Sequence, residues 1–211
     1  MTRDKYHYWY FKNIIGSKTC DDIIRLASEK KPKLAETTGY KQKIVSKKNM
    51  LKKRHSETVF LKEKWIENIL YPIIQAANNS AMWNYKIDLL ETAQFTIYRA
   101  DQFYGWHQDC QILSYPYKKQ SIKKENGKLR KISLSCQLNN SSEFEGGEFE
   151  FDFRNYDPDK RKKKQHERQA TELSSKGDVI VFPSYLWHRV KPVTKGIRYS
   201  LVMWALGEPW Q

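Results

Sequence analysis

The spacing of apolar residues changes period near Asn84. Before it, apolar positions recur every three or four residues. Ile23, Ile24 and Leu26 follow Thr19-Cys-Asp-Asp22, which predicts a capped helix ending near Lys30-Lys31-Pro32. From about Glu57 to Asn78, Phe60, Trp65, Ile66, Ile69, Leu70, Ile73 and Ile74 repeat at helical spacing, and Pro72 is expected to bend or divide that helix. Between the two, Lys41 to Arg54 carries little apolar content and reads as a solvated connection. After Asn84 the period is two. Leu89 to Tyr98 alternates, Lys131 to Leu138 puts Ile132, Leu134, Cys136 and Leu138 on one side, Glu148 to Phe153 alternates Phe with acids, and Val179–Phe182 and Tyr199–Leu206 are further strands.

Many short strands separated by Gly, Pro and Asn turns, Gly146-Gly147 and Lys176-Gly177-Asp178 among them, predict a mainly β (α+β) fold. The expected architecture is a double-stranded β-helix, the cupin-like jelly roll, whose two sheets leave a mouth for a ligand. A chain of 211 residues suits one domain, with a helical support over 1–84 outside a jelly-roll core over 85–211. Ser114–Arg130 and Asn155–Gln169 are polar and lysine-rich and each follows a strand. They read as loops at the mouth, either covering a substrate or simply solvated.

The candidate chemistry sits on these strands. His107-Gln108-Asp109 and the distant His188 supply two imidazoles and a carboxylate, the set that binds Fe(II) on one face and leaves the other open. Residues two apart in a strand share a side, so His107 and Asp109 grip one ion together if the segment is extended. The same alternation sets Arg198 beside Ser200, where a guanidinium and a hydroxyl can hold a carboxylate. His7, His55 and His166 lie in charged, pattern-free surroundings and read as solvated.

The run from Tyr98 through Tyr104 to His107 and Asp109 resembles the metal-binding strand of the prolyl-4-hydroxylase-like Fe(II)/2-oxoglutarate dioxygenases. Lys131–Asn139, Glu145-Gly-Gly-Glu148, Lys176–Pro183 and His188–Arg198 match the following blocks in order, and the tail is similar to the bacterial and phage branch of PKHD-type hydroxylases. The resemblance implies Fe(II) on His107, Asp109 and His188, 2-oxoglutarate with its far carboxylate on Arg198 and Ser200, O2 as co-reactant and ascorbate as reductant. It also gives Tyr98 a place against the cosubstrate, the alternative for that residue being a buried core tyrosine. Peptidyl, above all prolyl, hydroxylation is the activity implied. Tyr104 and Trp106 either line the pocket or pack the barrel, and Trp204 reads as packing. Trp204 also occupies the place where nucleic-acid-repair dioxygenases carry a second arginine, which weakens a repair reading.

Charge and cysteines add less. A net charge of +14 fits an anionic partner such as nucleic acid or an acidic protein surface, but the Lys, Ile, Asn and Tyr bias of an AT-rich genome accounts for it without selection for binding and is the preferred reading. The resemblance implies a peptide or protein partner in preference to nucleic acid. A jelly roll that binds ligands without turnover is a further alternative, against which the intact His107, Asp109, His188 and Arg198 argue. Cys20, Cys110 and Cys136 form no metal or disulfide framework, and no stretch has the length of a membrane span, so a cytoplasmic protein is expected.

Overall fold

Strand Ala93–Tyr98 is buried at all six positions. A strand hidden on both faces lies inside a sandwich, and the computed structural model shows how this one comes about. It describes residues 6–37, 45–110, 127–154, 156–160 and 167–209. Among these, chain order runs β1 (Trp9–Phe11), α1 (Ser17–Ser28), β2 (Lys33–Leu34), α2 (Lys47–Lys53), β3 (Arg54–His55), β4 (Glu57–Leu61), α3 (Lys64–Ser80), β5 (Leu89–Leu90), β6 (Ala93–Tyr98) and β7 (Phe103–His107). It continues with β8 (Leu129–Gln137), β9 (Phe144–Gly146), β10 (Phe149–Asp152), β11 (Glu167–Gln169), β12 (Val179–Pro183), β13 (Trp187–Val190), β14 (Val193–Gly196) and β15 (Arg198–Gly207).

Among the described residues the strands form an eight-stranded sheet ordered β1-β12-β8-β15-β6-β4-β2, with β5 also on β15, and a five-stranded sheet ordered β11-β10-β13-β7-β3. A short β14-β9 ribbon completes the jelly roll. One face of the large sheet is apolar: Phe95, Ile97, Ile132, Leu134, Cys136, Leu138, Leu201 and Met203 meet Cys20, Ile23 and Ala27 of α1 and Ile66, Leu70, Ile74 and Ala77 of α3. On the other face, Gln94, Thr96, Tyr98, Ser133, Ser135, Gln137, Arg198 and Ser200 are buried as well. The space between the sheets is completed by an aromatic cluster that includes Phe149, Phe151 and Phe182.

The N-terminal region departs from the expected helical support over 1–84. It adds β1, β2 and β4 to the large sheet and β3 to the small one. Glu57–Leu61 is a strand, not the start of a helix: Val59 and Leu61 are buried while Phe60 is half exposed, a period of two that the adjoining helical pattern conceals. α3 starts at Lys64 and runs unbroken through Pro72, so the proline does not divide it. α1 begins two residues before Thr19, with Gly16 at its cap position and no capping side chain. Lys41–Arg54 is only partly a connection, since it holds α2 and the buried Arg54 of β3; residues 41–44 lie outside the described set.

Most of Ser114–Arg130 lies outside the described residues, while Leu129 and Arg130 already belong to β8. Within Asn155–Gln169, Pro158–Lys160 forms a 3-10 turn and Glu167–Gln169 pairs with β10, so that stretch is not all loop. The Gly177 turn, at φ +85°, brings its backbone so near Ile15 that a Cβ would lie 2.0 Å from the Ile15 carbonyl oxygen. Next to it the buried Asp178 carboxylate accepts from the N–H groups of Asn13 (2.9 Å), Ser174 (3.1 Å) and Ser175 (2.6 Å) and pairs with Lys12. This fastens the N-terminal segment to the sheet. No helix among the described residues is long and apolar enough to cross a membrane.

Candidate active site

His107 and His188 stand opposite one another on neighbouring antiparallel strands, β7 and β13. Each ring places Nδ1 against the carbonyl two residues before it, Gly105 at 2.8 Å and Leu186 at 2.9 Å. Those contacts place a proton on Nδ1, so that each ring, in its neutral form, presents Nε2 as a bare lone pair. Both Nε2 atoms turn to Asp109: His107 lies 3.7 Å from Oδ1 and His188 3.5 Å from Oδ2. The three ligating atoms all lie within 4.8 Å of one another. Asp109 does not extend the strand as the sequence suggested. β7 ends at His107, and the turn that follows is pinned by the Asp109 and Cys110 N–H groups, which donate to the Ser184 carbonyl at 2.9 and 2.8 Å.

The triad is almost closed to solvent, with His107, Asp109 and His188 exposed by only 8, 9 and 3%. Burial, followed by the neighbouring His188, holds His107 well below the ordinary imidazole range. Burial works to raise Asp109, but the charge that His188 and His107 carry when protonated, with an Nε2–H of His188 as donor and Arg130 farther off, outweighs it and keeps the carboxyl well below its usual range. Tyr104 lies flat against His107 at 3.4 Å between ring centroids, and Phe182 meets His188 edge-on at 4.7 Å. Two imidazole Nε2 atoms and a carboxylate, all facing one point, are the N2O donor set that suits Fe(II) once the rings are deprotonated there.

Across the interior, Arg198 opens β15 and is 2% exposed. Among the described residues no carboxylate pairs with it, and its Nη1 has no hydrogen-bond partner. Gly147, at φ +69°, makes room for it, since a Cβ there would come within 3.0 Å of Arg198 Cδ. Its guanidinium lies 5.6 Å from the Tyr98 ring, which faces it across the β15–β6 pair, and burial raises the Tyr98 phenol. Ser200 follows on the same face, opposite Gln137 and Thr96. Of the five buried side-chain atoms left without a hydrogen bond among the described residues, Arg198 Nη1, Gln137 Oε1 and Trp204 Nε1 all belong to this face. An orphaned buried guanidinium costs free energy until an anion meets it, and a dicarboxylate fits that need.

The sequence model of the 2OG-Fe(II) oxygenase superfamily matches residues 93–206, more than half of the chain. The chain belongs to this superfamily. Its members' Fe(II) and 2-oxoglutarate match the donor triad and the lone arginine. As a 2OG-Fe(II) oxygenase it is 31% identical over 111 residues to a PKHD-type hydroxylase of Psychrobacter sp., covering 53% of this chain and 36% of that protein. It is 28% identical over 117 residues to another from Idiomarina loihiensis, covering 54% and 43%. The alignments thus span well under half the length of these relatives. Among solved structures, the viral collagen prolyl hydroxylase of Paramecium Bursaria Chlorella virus-1, in its 2OG complex, superposes with a TM-score of 0.64 at 18% identity, over 98% of this chain and 99% of that one. A Trichoplax adhaerens prolyl hydroxylase in complex with a hypoxia inducible factor peptide fragment gives 0.63 at 17% identity, over 94% and 83%.

In this oxygenase the structure brings together every residue the sequence singled out for chemistry: His107, Asp109 and His188 at one point, Arg198, Ser200 and Tyr98 on one sheet face. Trp204 is buried as expected but stacks under the Arg130 guanidinium at 3.8 Å, outside both hydrophobic clusters. His7 is exposed and stacks on Phe153, His55 sits half-buried in β3, and His166 lies outside the described residues. Ser133, Gln137 and Arg54 were not foreseen. Arg54 donates to Ser56 Oγ at 3.1 Å and covers the far face of Tyr104 at 4.5 Å, continuing the stack on His107. Ser133 and Gln137 had a signal, uncharged polar residues alternating with Ile132, Leu134 and Cys136, the mark of a strand buried on both sides.

Proposed function

We propose that this oxygenase hydroxylates an unactivated C–H bond in a peptidyl substrate, prolyl by preference, while 2-oxoglutarate is converted to succinate and CO2. His107, Asp109 and His188 are assigned to the iron, and Arg198, Ser200 and Tyr98 to the cosubstrate. Bound there, iron and 2-oxoglutarate supply the oxidation in which one oxygen atom of O2 enters the substrate and the other ends in succinate. The observation that carries the assignment is the buried Arg198 on the polar sheet face, which has no carboxylate partner among the described residues.

The chain's own contribution is orientation and exclusion of water. The Gly105 and Leu186 carbonyls fix the imidazole tautomers, so neither ring has to reorganise to present Nε2. Arg198 neutralises the far carboxylate by two-point pairing, with Ser200 and Tyr98 adding hydroxyl hydrogen bonds. The aromatic wall of Phe149, Phe151 and Phe182 keeps the His188 side dry. A peptidyl substrate is supported by the two prolyl hydroxylases whose folds match nearly the full chain, one of them seen with a peptide. Ascorbate is the proposed reductant that restores iron oxidised in uncoupled turnover.

Incubation of the Fe(II)-loaded chain with a proline-containing peptide library, 2-oxoglutarate and ascorbate tests this. A gain of one oxygen on proline, with matching succinate, is expected. Oxygen incorporated only into nucleic acid or free small molecules would contradict the peptidyl assignment.

A further inference from the structure

One hydrogen-bonded pair of serines grips the Asp109 carboxylate. Ser133, in the middle of β8 and fully buried, donates to Asp109 Oδ2 at 2.8 Å. Its Oγ lies 2.9 Å from the Oγ of Ser184, which is also fully buried. The direction of this chain follows from counting protons. An ionised carboxylate only accepts, so the single Ser133 hydroxyl proton is committed to Asp109, and the serine–serine contact must be donated by Ser184. Hydroxyls in series polarise one another, so the second strengthens the grip of the first.

The same Ser184 fixes the main chain beneath the carboxylate. Its carbonyl accepts the N–H groups of Asp109 and Cys110, and its own N–H donates to the Lys131 carbonyl at 2.9 Å. Ser184 lies just past β12 and four residues before His188, so one residue links the turn after β7, the strand β8 and the segment that delivers the second histidine. With Oδ2 held by Ser133, Oδ1 is the Asp109 oxygen without a hydrogen-bond donor among the described residues.

We propose that Ser133 and Ser184 are positioning residues for the metal site: the Ser184→Ser133→Asp109 relay commits Oδ2 to the protein and presents Oδ1 to the cation. This rests on the assignment of His107, Asp109 and His188 to the metal. Groups that orient a ligand in this way alter metal affinity by about 10- to 100-fold when removed.

The test is a titration of the metal-free full chain with Co(II) alone, read by calorimetry and by the visible absorption of the bound ion. Wild type, Ser133→Ala, Ser133→Val, Ser133→Thr, Ser184→Ala and Asp109→Ala are compared, with melting temperatures recorded for each. Val and Thr match in shape and differ in the hydroxyl, which separates hydrogen bonding from packing. Ser133→Ala and Ser133→Val are expected to weaken Co(II) binding by about 10- to 100-fold and change its spectrum. Ser133→Thr restores most of both, and Ser184→Ala gives a smaller loss in the same direction. If Asp109→Ala loses the ion while Ser133→Ala and Ser133→Val bind as wild type, the metal site stands and the serine relay falls. A loss in Ser133→Thr equal to that in Ser133→Val also overturns it, because volume and not the hydroxyl then matters. Failure of wild type to bind Co(II) removes the metal assignment and the relay together.

Discussion

The two faces of the eight-stranded sheet are equally hidden from water and chemically opposite. Toward α1 and α3, Ile132, Leu134 and Cys136 of β8 sit in a continuous apolar core. Toward the second sheet, the residues between them, Ser133, Ser135 and Gln137, are just as buried. The first face lowers the free energy of folding through apolar burial, while the second buries polar groups that water would otherwise satisfy. Among the described residues three atoms on that second face are left without partners, and the triad that could hold a metal ion looks onto it. Stability and chemistry are thus separated by a single residue of register, since a one-residue slip would exchange the two faces.

The comparison is broken most completely at the triad. Alanine at His107, Asp109 or His188 is expected to abolish succinate formation; the melting temperature of the metal-free chain falls little for the two histidines, since the apolar face is untouched, and further for Asp109, whose ionised carboxylate contributes stability at neutral pH; circular dichroism with a succinate assay reads both. Leu134→Ala does the reverse. It should cost about 2–5 kcal/mol in denaturant unfolding, by lost burial and a cavity, with turnover per folded molecule retained.

Arg198→Ala sharpens the contrast on the polar face. Loss of a charged hydrogen bond in a closed site costs a few kcal/mol, which raises the 2-oxoglutarate requirement by roughly two orders of magnitude. Lysine should rescue only partly, lacking the two-point geometry. Removing an unpaired buried charge should leave thermal stability unchanged or higher, unlike any truncation on the apolar face.

The smallest effect concerns pH. Burial depresses His107 in the folded chain, so below about pH 6.5 the unfolded chain binds more protons. Stability of the metal-free protein should therefore decline as pH falls from about 6.5 toward the folded-state value, by at most about 1.4 kcal/mol per pH unit. His107→Gln should flatten that slope. Asp109, shifted down, acts in a lower window: its contribution is full above about pH 3.8 and is lost as the pH falls through the depressed folded value.

The strands at Leu89–Tyr98, Lys131–Leu138 and Glu148–Phe153 were readable because each carries a period of two, and the ordered motif blocks singled out His107, Asp109, His188, Arg198, Ser200 and Tyr98. What escaped lies where two signals overlap or the chain bends. Val59 and Leu61 alternate for only five residues beside a strong helical pattern, and tertiary pairing with β6 decides their state. Arg54 sits in a lysine-rich stretch that composition marks as solvated, and only the pairing of β3 with Tyr104 of β7 buries it. Asp109 leaves its strand because Ser184, 75 positions away in the chain, accepts its N–H, a contact that no local pattern encodes. Ser133 was hidden for another reason: a serine in a strand looks solvent-facing until a second sheet covers it.

The central claim is that the polar face and the triad form one Fe(II)/2-oxoglutarate site. Succinate released from 2-oxoglutarate in air by the Fe(II)-loaded chain tests it most directly, measured across cosubstrate concentration for wild type, His188→Ala and Arg198→Ala together. The account predicts turnover in wild type, none in His188→Ala, and in Arg198→Ala a curve displaced by roughly a hundredfold to higher 2-oxoglutarate. Full turnover in His188→Ala, or an unshifted curve in Arg198→Ala, would contradict it.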